Sequence, residues 1–282
     1  MRENYNDRIS KAKELLANAD YVLIGAGAGL STAGGFEYSG EKFEKYFKDF
    51  GDKYGFKDMY SGGFYPFSTE EERWAYWSRY VYINRYLEQT PNIAYSKLFH
   101  IVKDKEYFVI TTNVDHQFQI AGFDKNKLFY TQGDYGLFQC SVPCHDKTYD
   151  NKELIEKMYR EQKDGKIPSN LIPKCPVCGR NMEMNLRADD KFVQDAGWYE
   201  HARLYQEFLD KIKDKKVVLI EIGVGYNTPA IIKYPFERMV YQNKNFNLIR
   251  INKDYPIASE EISDKTICFD EDTMHILKDL QL

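Results

Sequence analysis

Six short apolar runs alternate with helix-like segments along this chain, and this alternation limits the folds open to it. The runs lie at 21–24, 107–110, 128–130, 217–220, 246–249 and 266–269. Apolar residues at helical spacing lie among them, around 6–18, 70–88, 93–103, 199–213, 229–242 and 271–281. Continuous apolar strands that alternate with helices form parallel sheets covered on both faces. The sequence therefore predicts an α/β fold with a doubly wound parallel sheet.

Two stretches interrupt this alternation. Residues 36–66 are rich in Gly, Phe, Tyr and Lys and show little periodicity, so we expect a long loop or short helices near a ligand. They belong to a predicted loop and helical insert at 36–100 within the large domain. Residues 134–195 contain four cysteines and a charged helix at 151–163, which indicates a small separate module. The large domain is then predicted to comprise 1–133 and 196–282.

The cysteines of this module form two close pairs, Cys140 with Cys144 and Cys175 with Cys178. Thiolates at this spacing can occupy two corners of a tetrahedron for each pair, which is typical of a structural Zn²⁺ site. Gly179, directly after the second pair, favours the tight turn of a zinc knuckle. A redox CxxC motif is the main alternative, but it would not account for the first pair.

Charge and hydropathy exclude some classes of function. A net charge of −4 gives no general reason to expect nucleic-acid binding. No stretch approaches the roughly 20 apolar residues of a membrane-spanning helix. The segment 1–5 is charged and opens a predicted helix, unlike a signal peptide. Together with thiolates that bind zinc, these features predict a protein of the reducing cytoplasm, where cysteines do not form disulfides.

A glycine-rich turn, Gly25-Ala26-Gly27-Ala28-Gly29-Leu30-Ser31, directly follows the first apolar run. Small residues allow a pyrophosphate to approach the backbone, and a following helix offers free N–H groups to it. A second such turn, Gly223-Val224-Gly225, follows 217–222. Loops at the carboxyl ends of parallel strands converge on one crevice, so both turns can face one dinucleotide. The alternative is a tight strand-to-helix turn without a ligand.

Polar side chains also follow two of the other runs. Asn113 and Asp115, in the segment TTNVD, bring an amide and a carboxylate to the same edge of the predicted sheet. Asn252 holds a similar position after Ile251. In the alternative interpretation, these residues only cap the helices that follow them.

In combination and in this order, these motifs resemble those of the sirtuin family. The loop at 25–31 is similar to the sirtuin nucleotide loop, and TTNVD, followed by Ala121-Gly122, is similar to the sirtuin TQNID segment. Two cysteine pairs follow, then 223–225 where sirtuins usually have Gly-Thr-Ser, and Ile251-Asn252 where they have Ile-Asn. The resemblance implies a Rossmann-type domain for NAD⁺, a smaller domain with structural zinc, and a substrate cleft between them.

Three departures from the deacylating sirtuins indicate different chemistry. Gln132-Gly133 stands where a catalytic His followed by Gly is expected, and glutamine cannot take up a proton near neutral pH. Residues 186–195 are polar and charged where peptide-binding sirtuins carry a Val-Val-x-Phe-Gly-Glu-like strand. Ser39-Gly40 replace the Phe-Arg pair expected after the glycine loop.

These departures resemble the macrodomain-linked (class M) sirtuins of microbial pathogens. That resemblance implies NAD⁺-dependent protein ADP-ribosylation of a lipoylated carrier protein similar to the glycine-cleavage H protein, and a partner macrodomain that removes the modification. The alternatives are an NAD⁺-dependent deacylase (deacetylase or delipoylase), an NAD⁺ glycohydrolase and a catalytically silent NAD⁺-binding module.

The resemblance also implies roles for individual residues. The pyrophosphate is expected on Gly25, Ala26, Gly27, Gly29 and the turn 223–225, with Ser31 supporting the loop and Asn252 at the adenosine ribose. Asp115 would accept a hydrogen bond from the nicotinamide carboxamide. Asn113 would hold the nicotinamide ribose or a water beneath it, and Gln132 would orient the ribose hydroxyls or the acceptor.

The absence of an imidazole does not exclude this reaction. Cleavage of the glycosidic bond builds positive charge on the ribose, and a largely dissociative cleavage depends on positioning and electrostatic support more than on a strong base. Deacylation depends more on a base, whose help is worth about 10²–10⁴ in rate. His116 is the substitute base nearest in sequence, although its place after Asp115 does not direct it into the same cavity.

Overall fold

A computed structural model describes residues 3–36, 38–87 and 90–281. The predicted apolar runs form the strands of one parallel sheet, and three further strands form a second sheet. The strands are β1 Tyr21–Ala26, β2 Glu106–Thr111, β3 Leu128–Tyr130, β4 Gly133–Cys140, β5 Tyr149–Asp150, β6 Met182–Leu186, β7 Val217–Ile222, β8 Phe246–Ile251 and β9 Thr266–Phe269. The α-helices are α1 Tyr5–Asn18, α2 Ala28–Ala33, α3 Glu41–Tyr54, α4 Met59–Gly63, α5 Glu70–Val81, α6 Ile93–Val102, α7 Gln117–Ile120, α8 Lys152–Glu161, α9 Ala196–Ile212, α10 Lys233–Gln242 and α11 Thr273–Asp279. A π-helical segment, Tyr82–Tyr86, continues α5, and short 3₁₀ segments lie at Lys125–Lys127, Ser169–Leu171 and Glu260–Lys265.

The large sheet has the strand order β3-β2-β1-β7-β8-β9, and neighbouring strands are parallel throughout. Each of the six predicted runs supplies one of these strands, so the α/β prediction is confirmed. From β1 the chain proceeds outward through β2 and β3, and it then crosses to β7 on the other side of β1. The carboxyl ends of β1 and β7 therefore form a topological switch point, where open α/β sheets bind their ligands.

Helices cover both faces of this sheet. Helices α1, α6 and α11 pack on one face, where Leu16, Leu98 and Leu277 are fully buried. Helices α9 and α10 pack on the other face through side chains such as Ile212 and Phe236. Burial on both faces explains why the central strands are apolar at most positions. Among the described residues, no helix is both long and apolar enough to cross a bilayer.

A second, antiparallel sheet of order β5-β4-β6 lies in the cysteine-containing part of the chain. Its core is shared with helices α3, α4 and α5, which precede it by many residues. Phe43, Phe47 and Phe50 lie on one face of α3 and are buried there, and Trp74 of α5 meets Phe138 of β4 with ring centroids 5.1 Å apart. In its described part, the stretch expected as a loop or short helices at 36–66 therefore contains a helix of 14 residues.

Packing divides the predicted insert at 36–100 between two cores. Helices α3 to α5 join the core of the small sheet, whereas α6 joins the core of the large sheet. The predicted boundaries, 1–133 with 196–282 and 134–195, remain predictions, and the shared core favours a small domain built from two separate segments of the chain.

Candidate active site

A cavity of about 640 Å³ opens at the carboxyl ends of β1 and β7. The predicted site residues that line it are Gly27, Gly29, Asn113, Gln132, Gly223, Val224, Gly225 and Asn252. Other predicted residues lie behind this wall: Gly25, Ala26, Ser31 and Asp115. A cavity of similar size, about 610 Å³, lies beside α1 and β9 and contains none of the predicted residues.

The two glycine turns interlock at the switch point. The Gly29 amide donates to the Gly223 carbonyl oxygen over 3.0 Å, and the Gly27 amide donates to the Ile222 carbonyl oxygen over 3.0 Å. Gly223 has a φ of +62°, and a Cβ added to it would lie 2.4 Å from the Leu30 nitrogen. These glycines are therefore required for the close approach of the two turns. The amides of Val224 and Gly225 donate to no described acceptor, which leaves them available to an anionic ligand.

Gly25 serves packing at a different place. A Cβ at this position would lie 2.3 Å from Ile232 Cγ2 and 2.7 Å from the ring of Phe236. The absence of a side chain at Gly25 thus lets α10 pack closely against β1, and neither Gly25 nor Ala26 is part of the cavity wall.

Asn113 and Asp115 belong to one buried hydrogen-bond network with Ser31 and Tyr95. Asn113 Nδ2 donates to the Gly27 carbonyl oxygen (3.0 Å) and to Tyr95 Oη (2.8 Å). Ser31 Oγ donates to Asp115 Oδ2 over 2.6 Å, and Tyr95 Oη lies 3.2 Å from the same oxygen. Asn113 faces the cavity, whereas Asp115 lies one layer below it.

Burial raises the pKa of the Asp115 carboxyl above its usual range, although hydrogen bonds from Ser31, the Gln117 amide and Tyr95 act in the opposite direction. Burial and the nearby Asp115 charge raise the pKa of Tyr95 well above its usual range, so its hydroxyl stays protonated. Contact between Asp115 and a ligand in the cavity would require exchange of one of these internal bonds.

Asn252 supports the far side of the cavity through its side chain. Its Nδ2 donates to the Val224 carbonyl oxygen (2.8 Å), and its Oδ1 accepts from the amides of Asp254 (3.1 Å) and Tyr255 (3.0 Å). The side chain thus holds the second glycine turn against the loop that follows β8. The nitrogen and the oxygen of the Asn252 side-chain amide therefore both form hydrogen bonds within the protein.

Gln132 lines the cavity from the loop between the two sheets and is half-buried. Its side chain makes no hydrogen bond within the described residues. Gly133 follows with a φ of +96°, and an added Cβ would lie 1.9 Å from the Asn185 carbonyl oxygen. The glycine therefore allows β4 to begin against β6, and this contact sets the position of Gln132.

His116 is not part of the cavity wall. It has a left-handed φ of +64°, and its Nδ1 lies 2.6 Å from Asp134 Oδ2. Asp134 also pairs with Arg85 over 3.3 Å. Burial alone would raise the pKa of Asp134, but the hydrogen bond and charge of His116, together with the charge of Arg85, hold it below its usual range. His116 therefore connects the 113–117 loop to β4 of the antiparallel sheet.

The polar segment after β6 is fastened to β4 by two buried amides. Gln139 Oε1 accepts from the Val193 amide (2.9 Å), and Gln139 Nε2 donates to the Lys191 carbonyl oxygen (2.9 Å). Asn185 Nδ2 donates to the Val193 carbonyl oxygen over 3.0 Å. Some backbone groups of this segment that could pair with an extended peptide are thus already hydrogen-bonded to side chains of the protein itself.

The four predicted cysteines form one cluster, in which all sulfur atoms lie within 4.8 Å of one another. The Sγ atoms of Cys140 and Cys178 are 3.6 Å apart, and those of Cys144 and Cys175 are 3.7 Å apart. Zinc–sulfur bonds of about 2.3 Å at tetrahedral angles give sulfur–sulfur distances of about 3.8 Å. The cluster fits a structural zinc site, because four thiolates leave no position for a substrate.

Sequence reasoning missed a buried group of charges behind the cavity. Glu221 accepts from Lys233 Nζ (2.5 Å) and from Arg250 Nη2 (2.7 Å), and all three side chains are inaccessible to solvent. Arg250 Nη1 also donates to the Ile257 carbonyl oxygen over 2.7 Å. The signal was present, because Glu221 and Arg250 directly follow the apolar runs 217–220 and 246–249, and each precedes one further isoleucine. The group ties α10 and the loop after β8 to the sheet.

Comparison with known proteins places this chain in a family. No family model matches it. A protein ADP-ribosyltransferase of Staphylococcus aureus (strain Mu50 / ATCC 700699) is 41% identical over 271 residues, which cover 94% of this chain and 86% of that protein. The chain belongs to the sirtuin-like protein ADP-ribosyltransferases.

Two further similarities extend this result. A probable bifunctional ADP-ribose hydrolase/ADP-ribosyltransferase of Fusarium oxysporum f. sp. cubense is 33% identical over 258 residues; the match covers 86% of this chain but only 42% of the fungal protein. A solved structure of a Sir2 enzyme matches with a TM-score of 0.59 and 20% identity, over 98% of this chain and 96% of that chain. The second similarity shows the sirtuin fold.

Family membership confirms several predictions made from the motifs. The sirtuin resemblance and the Rossmann-type fold are confirmed, as is an enzyme class that uses NAD⁺. Zinc is supported by the geometry of the cysteine cluster. The roles of individual residues in the cavity remain proposals.

Proposed function

We propose that this protein transfers ADP-ribose from NAD⁺ to a protein acceptor in the cavity at the switch point. The observation that carries the proposal is the composition of the cavity wall. Asn113 and Gln132 face the space beside two interlocked glycine turns, and no histidine lines it among the described residues. A volume of about 640 Å³ lies within the range of about 300–1,000 Å³ that is usual for ligand sites.

The turns fit the diphosphate of the substrate. Gly27 and Gly223 admit a close approach of the backbone, and the free amides of Val224 and Gly225 can donate to phosphate oxygens. We assign the adenosine half to the side that Asn252 and the buried charges hold in place. The nicotinamide half then lies near Asn113 and Gln132.

The proposed transfer balances without a reductant or an oxidant. The bond between ribose C1′ and the pyridinium nitrogen breaks, and nicotinamide leaves with the electron pair. A nucleophile on the acceptor forms the new bond to C1′ and loses its proton to water. Asn113 Oδ1 would support the positive charge that develops on the ribose, and Gln132 would orient the ribose hydroxyls or the acceptor.

Asp115 is proposed to act from below this layer. It receives hydrogen bonds from Ser31 and Tyr95, and its charge lies behind the position where the ribose becomes positive. If an internal bond is exchanged, it can also accept from the nicotinamide carboxamide, which is the role that the sirtuin resemblance implies.

We further propose that the acceptor is a lipoylated carrier protein similar to the glycine-cleavage H protein. The resemblance to the macrodomain-linked sirtuins suggests this class. The fastened segment at 187–195 supports it, because Gln139 and Asn185 already bind the backbone that an extended peptide would need. A long flexible arm on a folded protein does not require such pairing.

A hydrolase that removes the modification is the proposed partner. The fungal relative is named as both an ADP-ribose hydrolase and an ADP-ribosyltransferase, and this chain matches only part of it. We propose a separate macrodomain protein for the hydrolase role here, and a cytoplasmic location in which the zinc-binding thiols stay reduced.

The test is incubation of the purified protein with labelled NAD⁺ and a lysate, with and without lipoylated proteins, followed by mass spectrometry of any labelled band. Transfer adds an ADP-ribosyl group to the acceptor. A deacylase would release O-acyl-ADP-ribose, and a glycohydrolase would release free ADP-ribose without an acceptor. Either result without protein labelling would refute the proposal.

Variants assign the roles of the residues. We expect Asn113→Ala and Asp115→Ala to abolish labelling and Gln132→Ala to reduce it. Gln206→Ala, on the exposed face of α9, is the matched glutamine control and should leave labelling unchanged. Normal labelling by Asn113→Ala would contradict the assignment of the amide.

A further inference from the structure

One fully buried hydroxyl contacts three of the proposed site residues. Tyr95 lies on α6, far in sequence from the glycine loop and from TTNVD. Its Oη is 2.6 Å from Ser31 Oγ, 2.8 Å from Asn113 Nδ2 and 3.2 Å from Asp115 Oδ2. Its side chain is wholly inaccessible to solvent, and its ring packs edge-on against Phe118 with centroids 4.8 Å apart.

Donors and acceptors can be matched throughout this network. An ionised Asp115 only accepts, and Ser31 donates to it. The Tyr95 proton is then donated toward Ser31 or Asp115, which leaves the oxygen of Tyr95 as an acceptor for Asn113. The two N–H groups of Asn113 are both used, one by Tyr95 and one by the Gly27 carbonyl oxygen.

This arrangement fixes which end of the Asn113 amide faces the cavity. With Nδ2 held inward by two acceptors, Oδ1 is the atom that the side chain presents to the cavity, and it accepts no hydrogen bond from the described residues. A carbonyl oxygen attracts the positive charge of a ribose that is losing nicotinamide, whereas an amide N–H group would repel it. The orientation of one side chain therefore decides whether it helps or hinders cleavage.

We infer that Tyr95 is a positioning residue for cleavage of NAD⁺: its hydroxyl accepts one Asn113 N–H and thereby keeps Asn113 Oδ1 turned toward the cavity. This inference rests on the proposed function, in which the glycosidic bond breaks beside Asn113. Tyr95 itself lies behind the cavity wall and acts through Asn113.

The test is Tyr95→Phe, which removes the hydroxyl and keeps the ring against Phe118. Nicotinamide release from NAD⁺ is measured, with separate values for kcat and KM. We expect kcat to fall about 10- to 100-fold, because the Asn113 amide loses an inward acceptor and can rotate. KM for NAD⁺ should change less than about threefold, because the glycine turns keep their geometry.

The matched control is Tyr107→Phe. Tyr107 is 5% exposed, packs edge-on against Phe123, and its hydroxyl accepts from the Asp124 amide over 3.0 Å, away from the cavity. Tyr107→Phe therefore loses a comparable buried hydrogen bond and should keep the wild-type kcat. An unchanged kcat in Tyr95→Phe, or an equal loss of kcat in both variants, would overturn the inference.

A second measurement needs only the folded wild-type protein. Both side-chain amide protons of Asn113 are donated to internal acceptors, so they should exchange slowly with solvent in a nitrogen-15 NMR experiment. Rapid exchange of both would overturn the inference even if Tyr95→Phe failed to fold.

Nicotinamide release also separates this inference from the proposed function. If the wild-type protein releases nicotinamide but labels no protein, the transferase proposal fails and the Tyr95 comparison still decides the inference. If it releases none in the presence of a lysate that contains lipoylated proteins, both are refuted.

Discussion

The interlock of the two glycine turns can be tested by adding a single methyl group at Gly223. Its φ of +62° is unfavourable for any residue with a Cβ, at about 1–2 kcal/mol. The new Cβ would also lie 2.4 Å from the Leu30 nitrogen and 2.6 Å from the Gly29 carbonyl carbon, where ordinary contacts are 3.4–4 Å. Both neighbours are backbone atoms, so the turns must separate by about 1 Å, which adds about 1–3 kcal/mol.

Gly165 is the matched control for the backbone term. It has a φ of +71°, and an added Cβ would meet nothing within 4 Å. Gly165→Ala should therefore cost about 1–2 kcal/mol, against about 2–5 kcal/mol for Gly223→Ala. At roughly 2–3 °C per kcal/mol, the expected losses in Tm are about 2–6 °C and about 4–15 °C respectively.

The two variants should differ more in catalysis than in stability. A displacement of about 1 Å in a substrate-positioning element can reduce the rate about 100-fold. We expect kcat/KM for nicotinamide release to fall at least about 10-fold in Gly223→Ala and to stay at the wild-type value in Gly165→Ala. If Gly223→Ala matched the control in Tm and the wild type in kcat/KM, the two turns would not be interlocked as described.

Three further predictions concern the metal and two buried carboxylates. Purified protein should contain one zinc ion per chain by elemental analysis, and a chelator should lower its Tm; a metal-free, equally stable protein would contradict the structural site. Asp134→Asn should cost about 3–5 kcal/mol in denaturant unfolding at pH 7, because it removes the buried carboxylate that pairs with His116 and Arg85. The pKa of Asp134 is lowered in the folded state, so this stabilisation should be present above about pH 4 and lost as the pH falls through the folded pKa; a cost independent of pH would refute it. The pKa of Asp115 is raised instead, so ionisation opposes folding, and wild type should lose stability relative to Asp115→Asn as the pH rises through the folded pKa. Asp115→Asn should then unfold at a higher denaturant concentration than wild type at pH 8, and the opposite order would show that burial of the Asp115 charge does not destabilise the folded protein.

The parallel sheet could be predicted because its central strands are buried on both faces. A strand such as Val217–Ile222 must be apolar at nearly every position, and such runs stand out in a sequence. Strand β4 was not predicted, since glycines and polar residues interrupt its apolar positions and it pairs only with short neighbours. The spacing of Phe43, Phe47 and Phe50 is typical of one face of a helix and indicates α3. The glycine-rich surroundings obscured this pattern, so the helix was not predicted.

The site was predictable in its location and less so in its connections. Motifs indicated which loops meet, because carboxyl ends of parallel strands share one edge. They could not distinguish Gly25, which accommodates α10, from Gly27, which faces the cavity. The contact between Tyr95 and Asn113 joins separate elements through a single hydroxyl, and no local pattern encodes it.

The shared core of the helical segment and the small sheet has a consequence for synthesis on the ribosome. Phe47 and Trp74 emerge early, whereas their partner Met184 is translated more than a hundred residues later. Until then, the aromatic side chains of α3 and α5 stay exposed, because the small sheet that buries them has not been translated. Exposed apolar surface of this kind is prone to aggregation and is recognised by chaperones. Assembly of the small domain must therefore wait until the second cysteine pair has left the exit tunnel.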